Sequence, residues 1–168
     1  MCLLAGVKVG EAELAACCAS RRWLAAVAAR PRDDLAALRE TSRRVLRELE
    51  WADIEEALAA HPRIGERAEG GTREAGWSRQ EQSGVDGAAA DLRAALFEGN
   101  RAYEERFGHV FLIRASGRSA LEMLGELRER LGNDAETERR VVRAELAEIV
   151  DLRLARLARG TGAEGEDP

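Results

Sequence analysis

Apolar residues recur at helical spacing along almost the whole chain, and this periodicity restricts the fold more than any other feature. Over residues 33–49 they form one stripe down a helix, made up of Leu35, Leu38, Val45, Leu46 and Leu49. Such a stripe must pack against other elements. Of the 168 residues, 45% are apolar but only 4% are aromatic, so Leu, Ala and Val must fill the core. The sequence therefore predicts an all-α fold, a multi-helix bundle.

Helix-breaking residues divide this pattern into successive helices. We expect two short helices over 11–29, broken near Ser20, and further helices over 33–49, over 51–60, after Gly87, after Ser119 and over 134–158. Arg30-Pro31 ends the first block, because a residue that precedes proline avoids the helical conformation. Residues 65–76 contain four glycines among charged side chains and are predicted to form a loop.

Residues 106–113 are the one stretch that could be read as a strand. Because no second strand is available to pair with it, we expect an extended connector. Ser119 and Glu122 have the spacing of a capping box, and the helix that they begin carries an apolar stripe of Leu121, Leu124, Leu127 and Leu131. We predict one helical domain over 1–158, followed by a disordered acidic tail over 159–168.

The composition argues against several functional classes. The 26 basic and 31 acidic residues are mixed along the chain, which argues against nucleic acid or an anionic membrane as the main partner. No apolar run approaches the roughly 20 residues of a membrane span. Cys2, Cys17 and Cys18 read as reduced thiols and favour a cytoplasmic location. Neither a zinc-ligand spacing nor a phosphate-binding glycine loop occurs, so we expect no metal and no cofactor.

His61, followed by Pro62, is the first candidate for chemistry. Histidine is the side chain best suited to proton transfer near neutral pH. The proline requires extended backbone at His61, which can direct the ring away from the preceding helix. The alternative is a histidine that ends a helix and has no catalytic task.

Ser78 and Glu81 form a second candidate, with Ser-x-x-Glu spacing. This spacing is typical of a capping box, in which the serine begins a helix and the glutamate reaches back to it. In the functional alternative, helix-terminal N–H groups and the carboxylate face a ligand. The two roles are compatible within one turn.

Arg153 lies on the apolar stripe of the last predicted helix, which is otherwise formed by Val142, Leu146, Ile149 and Leu157. The arginine either extends to the surface or is held inside by an anionic partner. In the second case its guanidinium suits a carboxylate or an enolate oxygen. The second histidine, His109, is a weaker candidate that we expect only to pack in the connector.

Four motifs in one order resemble a known family. They are Ala60-His61-Pro62-Arg63-Ile64-Gly65-Glu66, then Ser78-Arg79-Gln80-Glu81-Gln82-Ser83-Gly84-Val85, then residues 100–117, and finally residues 145–157. Together they are similar to the 2-oxo-4-hydroxy-4-carboxy-5-ureidoimidazoline (OHCU) decarboxylases of urate breakdown. The likeness spans about residues 12–158, which is nearly the whole chain.

The resemblance implies a cofactor-independent enzyme that converts OHCU to (S)-allantoin and carbon dioxide. It implies an all-α fold, usually as a homodimer. For the catalytic residues it implies His61 for proton transfer, with Glu81 and Arg153 beside it. An inactive ureide-binding protein of the same fold, or an unrelated all-α regulatory module, are the alternatives.

The resemblance also implies a set of substrate-binding residues. These are Pro62, Ser78, Gln82, Phe111, Leu112, Ile113, Arg114 and Ala115. In the last five residues the backbone groups are expected to hold the ureido-imidazoline. Position 114 is Arg where the family often has cysteine, and we expect its side chain to leave the pocket.

Overall fold

The computed structural model describes residues 9–31 and 34–160. Within these residues it contains α-helices and one short 3₁₀ helix (Ser83–Val85), and no strand. The helices are α1 (Glu11–Cys17), α2 (Arg21–Ala28), α3 (Leu35–Glu48), α4 (Trp51–Leu58), α5 (Arg73–Glu81), α6 (Ala90–Phe107), α7 (Ala120–Arg130) and α8 (Ala135–Gly160). The predicted all-α fold is confirmed.

The chain forms two compact units. Unit 1 comprises residues up to Glu56 together with those from Ala147 onward, and unit 2 is Ala57–Leu146. Helices α4 and α8 contribute residues to both units. The single domain over 1–158 therefore stays a prediction.

Unit 1 is built around α1, α2, α3 and the second half of α8. The predicted break near Ser20 is confirmed, since the Ser20 hydroxyl caps α2 by accepting a hydrogen bond from the Trp23 N–H at 3.3 Å. The fully buried Trp23 ring donates its indole N–H to the Ser42 hydroxyl at 3.1 Å. The apolar part of the unit 1 core also includes Leu14, Val27, Leu38, Leu46, Val150 and Leu154.

Unit 2 is built around the packed pair α6 and α7. Its core contains Ile64, Val85, Leu96, Tyr103, Phe111, Ile113, Ala115, Ala120, Met123, Leu124 and Leu127. Helix α6 ends at Gly108, whose φ of +78° is the left-handed conformation that favours glycine at a helix end. The connector predicted over 106–113 is wrong at its first two residues, which end α6, and residues 110–115 have neither helix nor strand.

Several predicted boundaries and faces differ from the structure. Helix α5 begins at Arg73, inside the predicted loop over 65–76, because the Thr72 hydroxyl caps it by accepting from the Ala75 N–H at 3.2 Å. Leu121 is 68% exposed, and Met123 is buried instead, so the predicted stripe of α7 is wrong at its first position. Helix α8 extends to Gly160, and the rest of the predicted tail, 161–168, lies outside the described residues.

Cys17 and Cys18 are buried and form no disulfide, as predicted, while Cys2 lies outside the described residues. Burial raises the pKa of Cys18 to about 12, so its thiol is protonated at neutral pH.

Among the helices of the described ranges, none is long and apolar enough to cross a membrane.

Candidate functional site

His61 and Pro62 lie just after α4, at the start of a loop that runs to Glu66. The His61 N–H donates to the Leu58 carbonyl at 2.9 Å, and both His61 and Pro62 are half-buried. Two residues later Ile64 is only 5% exposed and belongs to the unit 2 core. We call residues 61–66 the His-Pro loop.

Two amide side chains hold the backbone of the His-Pro loop. The Gln82 side chain accepts from the Gly65 N–H at 3.0 Å and donates to the Arg63 carbonyl at 3.3 Å. Asn100, on α6, donates its side-chain N–H to the Ile64 carbonyl at 2.8 Å. Three consecutive residues of the loop, 63–65, are thus tied to α6 and to the residue that follows α5.

Arg63 adds an ionic attachment for the same loop. Its guanidinium contacts both carboxylate oxygens of Glu104, at 2.5 and 3.0 Å, and contacts Glu66 at 3.1 Å. The hydrogen bond to Glu104 is the main cause of a raised Arg63 pKa. The site is half-open to solvent, so this pair orients the loop more than it stabilises the fold.

Ser78 and Glu81 do not form the predicted capping box. Because Thr72 begins α5, Ser78 and Glu81 lie in its last turns, and no helix N-terminus faces a ligand at Ser78. Both residues are buried, with 6% and 8% exposure. A carboxylate this buried needs polar or charged contacts, which distinguishes Glu81 from the many exposed glutamates of the chain.

The predicted substrate-binding segment, residues 111–115, has neither helix nor strand and contributes to the core of unit 2. Phe111, Leu112, Ile113 and Ala115 are buried, whereas Arg114 is half-buried. The Arg114 N–H donates to the Glu145 carboxylate at 2.7 Å, and the Leu112 carbonyl accepts from Arg130 at 2.8 Å. Side chains from α7 and α8 therefore fix the path of this segment.

Arg130 belongs to a buried charged network that the sequence analysis missed. Arg130 and Glu138 are 3% and 0% exposed, and the guanidinium contacts one Glu138 oxygen at 2.8 and 2.6 Å. The same oxygen accepts from the Tyr103 hydroxyl, and the other oxygen accepts from Asn133. Burial and the bond to Glu138 raise the pKa of Tyr103.

The Arg130 guanidinium also lies 4.6 Å from the centre of the Phe111 ring. Nothing in the spacing of Arg130 and Glu138 distinguishes them from the solvent-exposed charges on either side. Only their burial in the folded chain does so.

Arg153 lies in unit 1 and is 3% exposed, so it does not extend to the surface. Its guanidinium is 3.5 Å from the Ala16 carbonyl and is close enough to Cys18 to oppose the rise in the thiol pKa. Arg39 and Arg43, on successive turns of α3, both form ion pairs with Asp151 and so hold this part of α8 to α3. The other candidates, including His61 and Glu81, belong to unit 2.

The second histidine packs against aromatic rings, as expected. His109 makes an edge contact with Tyr103 and stacks on Phe107, at centroid distances of 5.5 and 6.2 Å. In the described part of the chain, no group of three or more His, Cys, Asp or Glu side chains could hold a metal ion.

Comparison with known proteins gives consistent matches. The profile of the OHCU decarboxylase family matches residues 9–155. The chain is 30% identical over 156 residues to the uric acid degradation bifunctional protein of Arabidopsis thaliana, covering 90% of this chain and 48% of that protein. It is 27% identical over 135 residues to the OHCU decarboxylase of Haloferax volcanii, covering 79% of each. The chain thus spans about half the length of the plant relative and most of the archaeal one.

Solved structures agree with the sequence matches. A crystal structure of an OHCU decarboxylase in the presence of (S)-allantoin superposes with a TM-score of 0.79 at 28% identity, covering 89% of this chain and 99% of that one. An (S)-allantoin synthase shares the fold, with a TM-score of 0.65 at 15% identity over 88% of this chain and 49% of that one. The profile match covers most of the chain, and on that ground the protein belongs to the OHCU decarboxylase family.

Proposed function

We propose that this protein catalyses the cofactor-independent decarboxylation of OHCU to (S)-allantoin and carbon dioxide in urate degradation. The observation that carries the proposal is the family match over residues 9–155. The archaeal relative is named as this decarboxylase, and the similar crystal structure was obtained in the presence of (S)-allantoin.

The substrate itself can accept the electrons that decarboxylation releases. The carbon that loses carbon dioxide carries a hydroxyl and neighbours a C=N bond. The released pair forms a C=C bond, the C=N pair moves to nitrogen, and that nitrogen takes a proton. The resulting enol loses its hydroxyl proton to form an enolate, and protonation of the neighbouring carbon then gives allantoin. An external electron sink such as pyridoxal phosphate is unnecessary.

His61 is the proposed proton carrier for these steps. General acid–base catalysis by a positioned histidine contributes about 10²–10⁴-fold to the rate. Its place at the start of a loop that is held by α5 and α6 supports this role, because a proton carrier must be aimed. Delivery of the proton to one face of the enol would make the product (S)-allantoin.

Glu81 and Arg153 are the proposed partners of His61 in catalysis. The buried Glu81 carboxylate would orient the imidazole or accept N–H groups of the ureide. The buried Arg153 guanidinium would balance the negative charge as it moves from the carboxylate to the enolate oxygen. An arginine 3% exposed is matched to a desolvated anion, where such a charge acts most strongly.

The segment 111–115 is the proposed holder of the ureide. Its Arg114 N–H and Leu112 carbonyl already bond Glu145 and Arg130, so the groups offered to substrate would come from the remaining backbone. A ureide alternates N–H donors and C=O acceptors, and a backbone outside helix and strand offers both kinds of group. We propose that Pro62 and Ser78 line the same pocket.

A homodimer in the cytoplasm is part of the proposal. The family resemblance supports the dimer, and Phe97 and Leu121 are large apolar side chains with 58% and 68% exposure, which suits an interface. Light scattering after gel filtration tests the dimer. The buried thiols Cys17 and Cys18 support a reducing compartment.

Circular dichroism during urate oxidation tests the proposed reaction. Uricase and hydroxyisourate hydrolase generate OHCU in the cuvette, and we expect the protein to speed loss of the OHCU signal and to leave optically active allantoin. Decay at the spontaneous rate to racemic product would contradict the proposal. Stabilisation by allantoin without any turnover would indicate the inactive ureide-binding alternative.

A further inference from the structure

We propose that Gln82 and Asn100 are positioning residues, which act on the reaction by holding the backbone of the His-Pro loop. This inference rests on the proposed function of His61 and gives Gln82 a different task from the substrate contact expected from the family resemblance. Asn100 was not among the expected site residues at all.

The orientation of the Gln82 amide is determined by its two partners. The Gly65 N–H can only donate, so it must face Oε1, and the Arg63 carbonyl can only accept, so it must face Nε2. In a flipped amide, Nε2 would face the Gly65 N–H, which is also a donor, and Oε1 would face the Arg63 carbonyl, which is also an acceptor. One side chain thereby closes the loop across residues 63–65 and leaves one N–H and one lone pair for any other contact.

Asn100 holds Ile64, the residue between Arg63 and Gly65, although its own side-chain oxygen is left without a hydrogen bond within the described part of the chain. Its Nδ2 donates to the Ile64 carbonyl at 2.8 Å, while its Oδ1 has no hydrogen-bond partner among the described residues. Asn100 is 2% exposed, and a buried acceptor without a partner is unfavourable because it has lost its hydrogen bond to water. Because flipping the amide would break the bond to Ile64, that bond determines the arrangement.

These bonds bracket His61. On one side its own N–H is bonded to the Leu58 carbonyl at the end of α4, and on the other Arg63, Ile64 and Gly65 are tied down. Only Pro62, whose ring restricts the backbone, lies between His61 and the held residues. Loosening residues 63–65 would therefore move the imidazole, and a displacement of about 1 Å at a reacting group can cost about 10²-fold in rate.

The side chain of Gln82 can be replaced without opening the core. It is half-buried and lines a cleft of about 240 Å³ together with Gly65, Arg79, Val85 and Arg93. Gln82→Met keeps the length and removes both bonds. Gln82→Glu keeps an acceptor for Gly65 and loses the donor to Arg63. Gln80→Met, at an exposed position in the last turn of α5, is the matched control.

Two readouts test the inference. Amide hydrogen exchange followed by NMR reports on the Gly65 N–H, and steady-state kinetics separates kcat from KM for OHCU. In Gln82→Met we expect Gly65 to lose protection and kcat to fall about 10- to 100-fold with KM nearly unchanged, while Gln80→Met matches wild type. Gln82→Glu should retain Gly65 protection and recover part of kcat.

Several outcomes would overturn the inference. A raised KM with kcat retained would make Gln82 a substrate contact, and faster Gly65 exchange with no change in kcat would mean that holding the loop is irrelevant to the reaction. Asn100→Asp, which removes the donor to Ile64, should also lower kcat. If this variant fails to fold, the comparison of Gln82→Met with Gln82→Glu still tests the inference. If the wild-type protein does not turn over OHCU, the proposed function is contradicted instead. Hydrogen exchange at Gly65 and the NMR resonances of the His61 ring would then still show whether Gln82 holds the loop and the imidazole in place.

Discussion

The Glu145 carboxylate accepts a hydrogen bond from the Arg114 N–H at 2.7 Å, so a residue of α8 holds the backbone of the segment proposed to bind the ureide. Its other near neighbour is Arg118, whose guanidinium lies 4.0 Å away. The carboxylate is mostly buried, and this contact fixes one N–H of an otherwise irregular stretch. The geometry makes Glu145 a support for the substrate segment.

Glu145→Ala should raise KM for OHCU more than it lowers kcat, because the backbone groups that hold the ureide lose their alignment. It should also lower the free energy of unfolding by about 1–3 kcal/mol, since the partly buried Arg114 N–H is left without its acceptor. Kinetics and urea denaturation check the two effects. Glu136→Ala, at an exposed position of the same helix, is the control. Equal kinetics for the two variants would remove the assigned role.

Arg130 and Glu138 should behave as a coupled pair. Arg130→Met leaves the Glu138 carboxylate buried without its cation, which costs about 3–5 kcal/mol of unfolding free energy. The double variant Arg130→Met with Glu138→Gln should be more stable than Arg130→Met alone, because no unpaired charge remains. A double-mutant cycle by urea denaturation measures the coupling. Additive effects would contradict it.

Much of the fold follows from local sequence signals. The apolar periodicity of α3, the Ser20 break and the Ser119–Glu122 capping box are all interactions between near neighbours, and each has the predicted structure. Ser78 shows the limit of this approach. Thr72 lies six residues earlier and caps the same helix, and spacing alone does not decide which hydroxyl begins it.

The supports of the candidate site could not be predicted in this way. Asn100 contacts Ile64 across 36 positions of sequence, and Arg114 contacts Glu145 across 31. Polar side chains on helices read as solvent-facing unless the fold buries them, so their partners become apparent only in three dimensions. The burial of Arg153 is the intermediate case, because its place on an apolar stripe predicted two alternatives, and the 3% exposure excludes extension to the surface.

Asp151 should make stability depend on acidity. The hydrogen bond from Arg39 lowers the pKa of Asp151 below its value in the unfolded chain, which is about 3.9. The carboxylate therefore contributes fully to stability above the unfolded pKa, and this contribution is lost as the pH falls through the folded pKa. We expect Asp151→Asn to be less stable than wild type at neutral pH, and we expect the difference in melting temperature to narrow below about pH 4. Thermal denaturation across pH checks this. A gap that widens in acid would contradict the assignment.

Arg153→Leu should separate activity from stability. Removal of the guanidinium relieves its desolvation cost but also removes its contact with the Ala16 carbonyl, so the two effects oppose each other and the melting temperature should change little. The value of kcat/KM for OHCU should fall strongly, because the migrating negative charge loses its counter-charge. Arg159→Leu, at an exposed position of α8, is the control. Loss of stability together with activity would instead make Arg153 a structural residue.

His61→Asn should abolish most turnover without unfolding the chain. The half-buried ring is outside the apolar core, so the melting temperature should stay near that of wild type. We expect kcat to fall about 10²- to 10⁴-fold, the range for loss of a general acid or base. His109→Asn removes a histidine that packs on Tyr103 and should cost stability rather than turnover. If His61→Asn kept the wild-type kcat, or His109→Asn alone lost it, proton transfer would have to be reassigned. Allantoin formed by the residual activity of His61→Asn should also be closer to racemic, because protonation of the enol would then come from water on either face.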